Sequence, residues 1–264
     1  MYKIRKMLKS AEQKIRSKIK YRVIARDKLR DLCKKEYLFD FIRTLPPGQV
    51  EKALAVLDQS PAQLKQDIFA LSELNFKRNG FFVEFGAADG YNLSNTWLLE
   101  KHFGWKGILS EPAKCWHRKL SANRSGITDQ RCVWTKTGTT LEFNESDEIS
   151  TISGFGEEDG HRISRIGALK YQVQTVSLND LLQEHGAPTD PDYLSIDTEG
   201  SEFEILSHLD FQRYPFKVIT CEHNYTSKRE QINKLLTGVG YVRKFENVSL
   251  FDDWYVRVEN ASNP

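Results

Sequence analysis

The sequence predicts an α/β protein, a doubly wound and mainly parallel sheet covered by helices, with a helical extension at its N-terminus. Three observations lead there. Short β-type runs alternate with helix-type stretches from residue 81 onward, as expected of a mainly parallel sheet packed under helices. The first run, Phe81-Phe82-Val83-Glu84-Phe85, passes directly into the turn Gly86-Ala87-Ala88-Asp89-Gly90 and then into a helix. The chain closes on two strand-like segments, 240–245 and 248–258, joined through Glu246-Asn247 as an antiparallel hairpin suited to a sheet edge.

At 264 residues the chain can bury one large core without disulfide or metal staples. An apolar share of 39% beside 28% charged residues is that of a soluble globular protein. No apolar run approaches the roughly 18 residues of a membrane span, and lysines and arginines stand where a secretory leader would be apolar. Cys33, Cys115, Cys132 and Cys221 are widely spaced and form no C-x-x-C pair, so reduced, packed thiols are expected. The chain reads as cytoplasmic.

Charge is unevenly distributed. Residues 1–30 hold 12 Lys or Arg against Glu12 and Asp27, which leaves 26 basic against 34 acidic residues in the remainder. Ile4, Leu8, Ala11, Ile15 and Ile19 recur every three or four positions, so this segment predicts a basic amphipathic helix. Such an arm can dock on an anionic membrane surface, peripherally at its inner face, or on a partner. An enzyme of nucleic acids would carry its positive field around the active site; here the body is acidic, and nucleic acid is not the expected partner. Residues 1–60 are read as arm and short helices, 61–264 as the main domain.

Pro46-Pro47 predicts a proline-started helix, and Ser60-Pro61 the cap and first position of another. Residues 106–110, 128–134, 193–196 and 216–221 read as strands. Ser177 with Asp180 resembles a capping box opening a helix that Gly186 and Pro188 end. The stretch 150–167, with four glycines and no steady period, reads as a long loop of the kind that covers sites.

The chemistry-bearing residues fall at strand ends. Glu84-x-Gly86-x-x-x-Gly90 lacks the G-x-G-x-x-G spacing that grips a pyrophosphate, while glycine and alanine let backbone approach a ligand. A sulfonium nucleoside has no phosphate and carries an ammonium, so the carboxylates of Glu84 and Asp89 suit it better than a bare helix dipole. Some twenty residues on, the second strand ends in Glu111-Pro112, where a carboxylate can accept both ribose hydroxyls. The strand 193–196 delivers Asp197, with Glu199 and Glu202 following near a helix start, where they can serve as caps. The next strand ends in Cys221-Glu222-His223-Asn224, and an imidazole is the side chain best tuned for a base near neutral pH.

Together these segments resemble the FkbM family of S-adenosylmethionine-dependent methyltransferases, over roughly residues 66–258. Ile196-Asp197-Thr198-Glu199-Gly200-Ser201-Glu202 is similar to the family's I-D-x-E-G-x-E signature. Val83 to Gly90, continuing through Ser94-Asn95-Thr96, Gly104-Trp105 and Glu111-Pro112, is similar to its V-E-x-G-A-x-D-G and S-N-T motifs. The resemblance implies a Rossmann-like class I methyltransferase fold, seven strands with the last antiparallel, and transfer of a methyl group from S-adenosyl-L-methionine to a hydroxyl of a sugar, glycan, glycolipid or natural product. Glu84, Gly86, Ala87, Asp89, Gly90, Asn95 and Glu111 are then the expected cofactor-binding residues, and Asp197, Glu222 and His223 the catalytic candidates. Asp197 and Glu222 can also hold a divalent metal through oxygen, but two carboxylates do not establish one and no metal ligand is assigned. The rival readings are a non-catalytic adaptor or membrane-associated binding protein on the same fold, and an RNA methyltransferase, which the acidic body disfavours.

Overall fold

The computed structural model describes residues 28–29, 32–155, 160 and 162–258. Most of the basic arm read over residues 1–30 lies outside them. Compactness divides the chain into Met1–Leu45 and Pro46–Pro264, earlier than the boundary read at residue 60. In the first unit residues 32–44 are helical. No helix among the described residues is long and apolar enough to cross a membrane.

The second unit opens with α1 (Pro47–Val56), which has proline in its first position as predicted. Proline there has no N–H to leave unpaired and brings its φ preset. The next helix, α2 (Gln66–Glu73), starts later than Ser60-Pro61 suggested. The Ser60 hydroxyl donates to the buried Asp67 carboxylate at 2.7 Å, and Lys65 Nζ donates to the Ser60 carbonyl at 2.8 Å, so Ser60 is used in a tertiary network instead of capping a local N–H.

The main sheet holds seven strands: β1 (Phe81–Phe85), β2 (Lys106–Ser110), β3 (Ile127–Asp129), β8 (Tyr193–Ile196), β9 (Val218–Glu222), β10 (Tyr241–Lys244) and β11 (Asp252–Arg257), in the order β3-β2-β1-β8-β9-β11-β10. Six run parallel and β11 runs antiparallel between β9 and β10. This is the expected class I methyltransferase sheet. The closing hairpin is present, but its link runs from Lys244 to Asp252 and is longer than Glu246-Asn247. Val83, Ile108, Leu194, Ile219 and Tyr255 bury one face together with Leu181 of the covering helix α5 (Leu178–Glu184); α3 (Trp97–Phe103), α4 (His117–Asn123), α6 (Glu202–Ser207) and α7 (Arg229–Gly238) complete the layers.

One part of the architecture was not expected. The single strand read over 128–134 breaks at Gln130-Arg131: β3 stays in the main sheet, whereas β4 (Cys132–Trp134) enters a second sheet with β5 (Thr140–Glu145), β6 (Thr151–Ile152) and β7 (Leu169–Ser177), in the order β4-β7-β5-β6. Arg131 causes the break, its side chain turning back onto Asp129 and reaching Glu184 at 2.6 Å. The loop expected from 150 begins with β6, and residues 156–159 and 161 lie outside the described ones.

The parallel register brings four strand ends level. Phe85 pairs with Ser110 on one side and Ile196 on the other, and Ile196 with Cys221. Strand order reverses between β1 and β8, and ligands of open α/β sheets bind at that switch point.

Ser177 caps α5, its hydroxyl accepting the Asp180 N–H at 3.1 Å. Replacing Ser177 by alanine is expected to lower stability by about 1 kcal/mol. Urea unfolding of the two proteins, at unchanged slope, checks this.

Candidate active site

The site is built where the turn after β1 leans on the end of β8. Gly86 has φ +76°, and a Cβ on it would lie 1.7 Å from the Asp197 carbonyl oxygen, so only glycine permits this approach. Gly86 N–H donates to the Ser110 carbonyl at 3.2 Å. Glu111 then bridges two loops, accepting Ala88 N–H at 2.7 Å on one oxygen and Ala113 N–H at 2.8 Å on the other. Burial pushes its carboxyl up to about 7 against the pull of those two donors. Each oxygen retains a lone pair for a further donor.

Glu84 and Asp89 are placed differently from the sequence reading, which gave both to a ligand ammonium. Glu84 accepts from the Ser94 and Thr96 hydroxyls, from Asn95 N–H at 2.8 Å, and from Arg124 at 3.2 Å. Arg124 and Glu84 side chains are 0% and 5% exposed, and the guanidinium also holds the Gly90 carbonyl and Glu100. Asp89 closes its own turn, accepting Tyr91 and Asn92 N–H at 2.9 and 2.8 Å. Gly90 is needed for packing, because a Cβ there would meet Leu120 and Arg124 at 2.6 Å. These residues shape the turn around the ligand space.

Two adjoining clefts open over the switch point, with about 510 and about 420 Å³ of empty space out to their mouths. They share Phe85, Gly86, Ala88, Glu148 and Asp197. The first adds Trp116, Cys132, Phe143 and Ile152, apolar side chains, together with the carboxylates of Glu111, Asp147 and Glu199. The second adds Glu84, Ala87, Ser94, Asn95 and Ser195. Asn95 donates to Ser195 Oγ at 3.0 Å, while its Oδ1 is buried with no partner, an acceptor that a ligand donor would satisfy.

Asp197 lines both clefts, and one of its carboxylate oxygens lies within 4.8 Å of one of Glu222. Burial raises Asp197 to about 6, and burial together with the neighbouring Asp197 charge raises Glu222 well above its usual range. One oxygen each of Asp197, Glu199 and Glu222 fall within 4.8 Å of one another, a donor set of the kind hard cations take. Arg165 already reaches Glu199 Oε2 at 2.7 Å, and Asn224 Nδ2 reaches Glu222 at 2.7 Å and Glu199 at 3.2 Å.

His223, a base candidate by sequence, is directed away from the clefts. Its Nδ1 accepts the Tyr225 N–H at 3.0 Å and its Nε2 faces Asp253 at 3.7 Å. His223 lines neither cleft, its Nε2 is buried without a hydrogen-bond partner, and burial lowers the ring's pKa. Its backbone N–H donates to the Phe251 carbonyl at 2.9 Å, tying the β9 end to the segment that leads into β11.

The inserted sheet supplies residues that sequence reasoning missed. Phe143 and Ile152 wall the first cleft, and Thr151 Oγ1 donates to the Glu199 carbonyl at 2.9 Å. Alternation was the available signal: Leu141 and Phe143 alternate with polar neighbours, as do Tyr171, Val173 and Thr175. Arg124 had no local signal, since its partner is 40 residues away.

A family description of the Methyltransferase FkbM domain matches residues 84–261. The chain belongs to the FkbM methyltransferase family. A relative, Methyltransferase sdnD of Sordaria araneosa, is 24% identical over 197 residues, 63% of this chain and 75% of its own length. Similar solved structures include a precorrin-6y C5,15-methyltransferase from Geobacter metallireducens, 10% identical over 72% of this chain and 85% of that one at a TM-score of 0.40. Another is a SAM dependent methyltransferase from Aquifex aeolicus, 8% identical over 74% and 91% at a TM-score of 0.36. As an FkbM protein the chain is a methyltransferase.

Two predictions concern stability. Arg124→Leu strands the Glu84 carboxylate without its cation, so it is expected to cost about 3–5 kcal/mol in chemical unfolding. Burial raises Glu111, Asp67 and Asp252 to about 7 and Asp197 to about 6. The folded protein therefore binds these protons more tightly than the unfolded chain. Their stabilisation is complete below about pH 4, where the unfolded carboxyls are also protonated, and is lost as pH rises toward 7. Denaturant midpoints of the cofactor-free protein at pH 5 and 7 should show that fall, and Glu111→Gln should reduce it.

Proposed function

We propose that this FkbM methyltransferase uses S-adenosylmethionine to methylate a hydroxyl of a sugar, glycan or glycolipid. The observation that carries the reading is the close pair of carboxylates Asp197 and Glu222 at adjacent strand ends, Asp197 lining both arms of a cleft of which one is nucleoside-sized and one polar. The cofactor is the one the family implies, and the donor set suits it. Glu111 offers two anchored carboxylate oxygens to vicinal ribose hydroxyls. Trp116, Cys132, Phe143 and Ile152 form a slot for a base, and the orphan Asn95 Oδ1 is an acceptor for an ammonium. When bound, the cofactor supplies an electrophilic methyl group on sulfur.

The chain's own contribution is alignment and proton removal. With one proton between them, Asp197 and Glu222 carry a single negative charge that can take the hydroxyl proton. Asn224 and Arg165 hold the neighbouring carboxylates in place. A buried carboxylate pair suits a hydroxyl acceptor, which must lose its proton as the new bond forms. Asp89, Gly90 and Glu84 act through the turn they shape.

Calorimetric titration with S-adenosylmethionine and S-adenosylhomocysteine tests the cofactor. Micromolar binding is expected, weakened about 10- to 100-fold by Glu111→Ala, the worth of hydrogen bonds to a charged acceptor; absence of binding by folded protein would turn the reading toward an adaptor. With a sugar acceptor found by screening, Asp197→Asn should lower kcat by about 10²- to 10⁴-fold. Wild-type activity should be lost as pH falls through about 6, where the pair takes up its second proton.

A further inference from the structure

The walls of the two clefts carry charge of one sign. Their ionisable residues are Glu84, Glu111, Asp147, Glu148, Asp197 and Glu199, and among the described residues no lysine, arginine or histidine lines either cleft. Part of that charge is offset: Arg124 pairs with Glu84, Arg165 pairs with Glu199, and burial raises Glu111 and Asp197. Asp147 and Glu148 remain, both exposed, and neither carboxylate has a hydrogen-bond or ion-pair partner among the described residues. Of the two, Glu148 alone lines both clefts. A cleft lined by one sign of charge concentrates ligands of the other.

The backbone that carries Glu148, between β5 and β6, is fastened although the side chain is not. Ser146 N–H donates to Ser150 Oγ at 2.8 Å, and that hydroxyl donates to the Asp147 carbonyl at 2.6 Å. Arg165 Nε donates to the Ile149 carbonyl at 2.7 Å, and its Nη2 reaches Glu199 at the same distance. A carboxylate presented in this way costs little ordering when a ligand arrives. The second cleft holds an independent sign of a ligand rich in donors. Asn95 is 9% exposed, its Nδ2 donates to Ser195 Oγ, and its Oδ1 is buried without a partner. That oxygen and the Glu148 carboxylate can only accept hydrogen bonds or attract positive charge.

We propose that Glu148 is a specificity-determining residue of the transfer site, selecting the cationic S-adenosylmethionine over its net-neutral product. This role rests on the cofactor reading above. A ligand that fills both clefts must pass the residues they share, and Glu148 and Asp197 are the charged ones among these. In S-adenosylmethionine the atom that joins the nucleoside to the amino acid is the positively charged sulfur. Methyl transfer breaks the carbon–sulfur bond and leaves its electron pair on sulfur, so that charge disappears, while the acceptor's hydroxyl proton passes to Asp197 and Glu222. Asp197 is therefore engaged in proton transfer, whereas Glu148 has only its charge to offer. Its attraction acts on the methyl donor and ends with the reaction, which favours release of S-adenosylhomocysteine.

Calorimetry on the full chain tests this with S-adenosylmethionine, S-adenosylhomocysteine and sinefungin, whose amine restores a positive charge close to the sulfonium position. In about 0.01 M salt, Glu148→Gln should lower the affinity of both cations relative to S-adenosylhomocysteine by about three- to tenfold, as expected for one charge pair in a solvated cleft. The affinity for S-adenosylhomocysteine itself should change little. In about 0.15 M salt the difference between wild type and variant should shrink. Asp147→Asn, at a position that lines only the first cleft, should leave the ratio within about twofold of wild type. An unchanged ratio in Glu148→Gln, or an equal change in Asp147→Asn, would overturn the assignment while leaving the cofactor reading intact. If folded wild-type protein binds none of the three ligands, the cofactor reading and the role of Glu148 fall together.

Discussion

The site depends on one buried ion pair. β1 carries Glu84 into the interior, and an isolated carboxylate cannot stay ionised there. Arg124, at the end of α4, supplies the opposite charge with its guanidinium packed over the Phe82 ring, 5.2 Å from the centroid. It also binds Glu100 of α3 and the Gly90 carbonyl. One guanidinium thereby ties together the first strand, the turn after it and the two helices that flank it. The hydroxyls of Ser94 and Thr96 and the N–H of Asn95 satisfy what remains of the carboxylate, and in doing so fix the loop from which Asn95 reaches the cleft. A network of this kind costs about as much to desolvate as it returns in attraction, so its value lies in fixing one conformation of the turn.

Two kinds of carboxylate therefore coexist within a few residues. Glu84 is surrounded by donors from residues 94–96 and by Arg124, and Asp89 by donors from its own turn. Glu111 and Asp197 are short of donors, and burial raises both. The contrast separates scaffold from site more clearly than position in the motif does, since all four stand at or near the ends of adjacent strands. His223 shows the same logic from the other side: with Nδ1 engaged by backbone and Nε2 facing Asp253, it braces the strand end that presents Glu222.

Much of this was legible in the sequence, for identifiable reasons. The runs at Phe81, Lys106 and Tyr193 are apolar, buried on both faces and bounded by turn residues, so composition alone marks them as parallel strands. Gly86 and Glu111 were legible because their chemistry is local, a backbone approach and a strand-end carboxylate. The helix expected at Pro61 failed because Ser60 found a partner seven residues away in Asp67. The break after β3 failed because Arg131 folds back on Asp129, an ion pair that no periodicity reports. The cation beside Glu84 was illegible for the same reason, since Arg124 lies at the far end of a helix beyond the next strand.

The hydroxyl of Thr151 joins the second sheet to the backbone at Glu199, and that sheet also supplies Phe143 and Ile152 to the wall of the first cleft. The second sheet is thus tied to the main sheet at the cleft and not merely appended to it. A chimera made at its boundaries would carry across part of the wall of the first cleft and the Thr151 tie to Glu199 in a single piece. A substitution in this segment therefore acts at once on the wall of the first cleft and on the backbone beside Glu199.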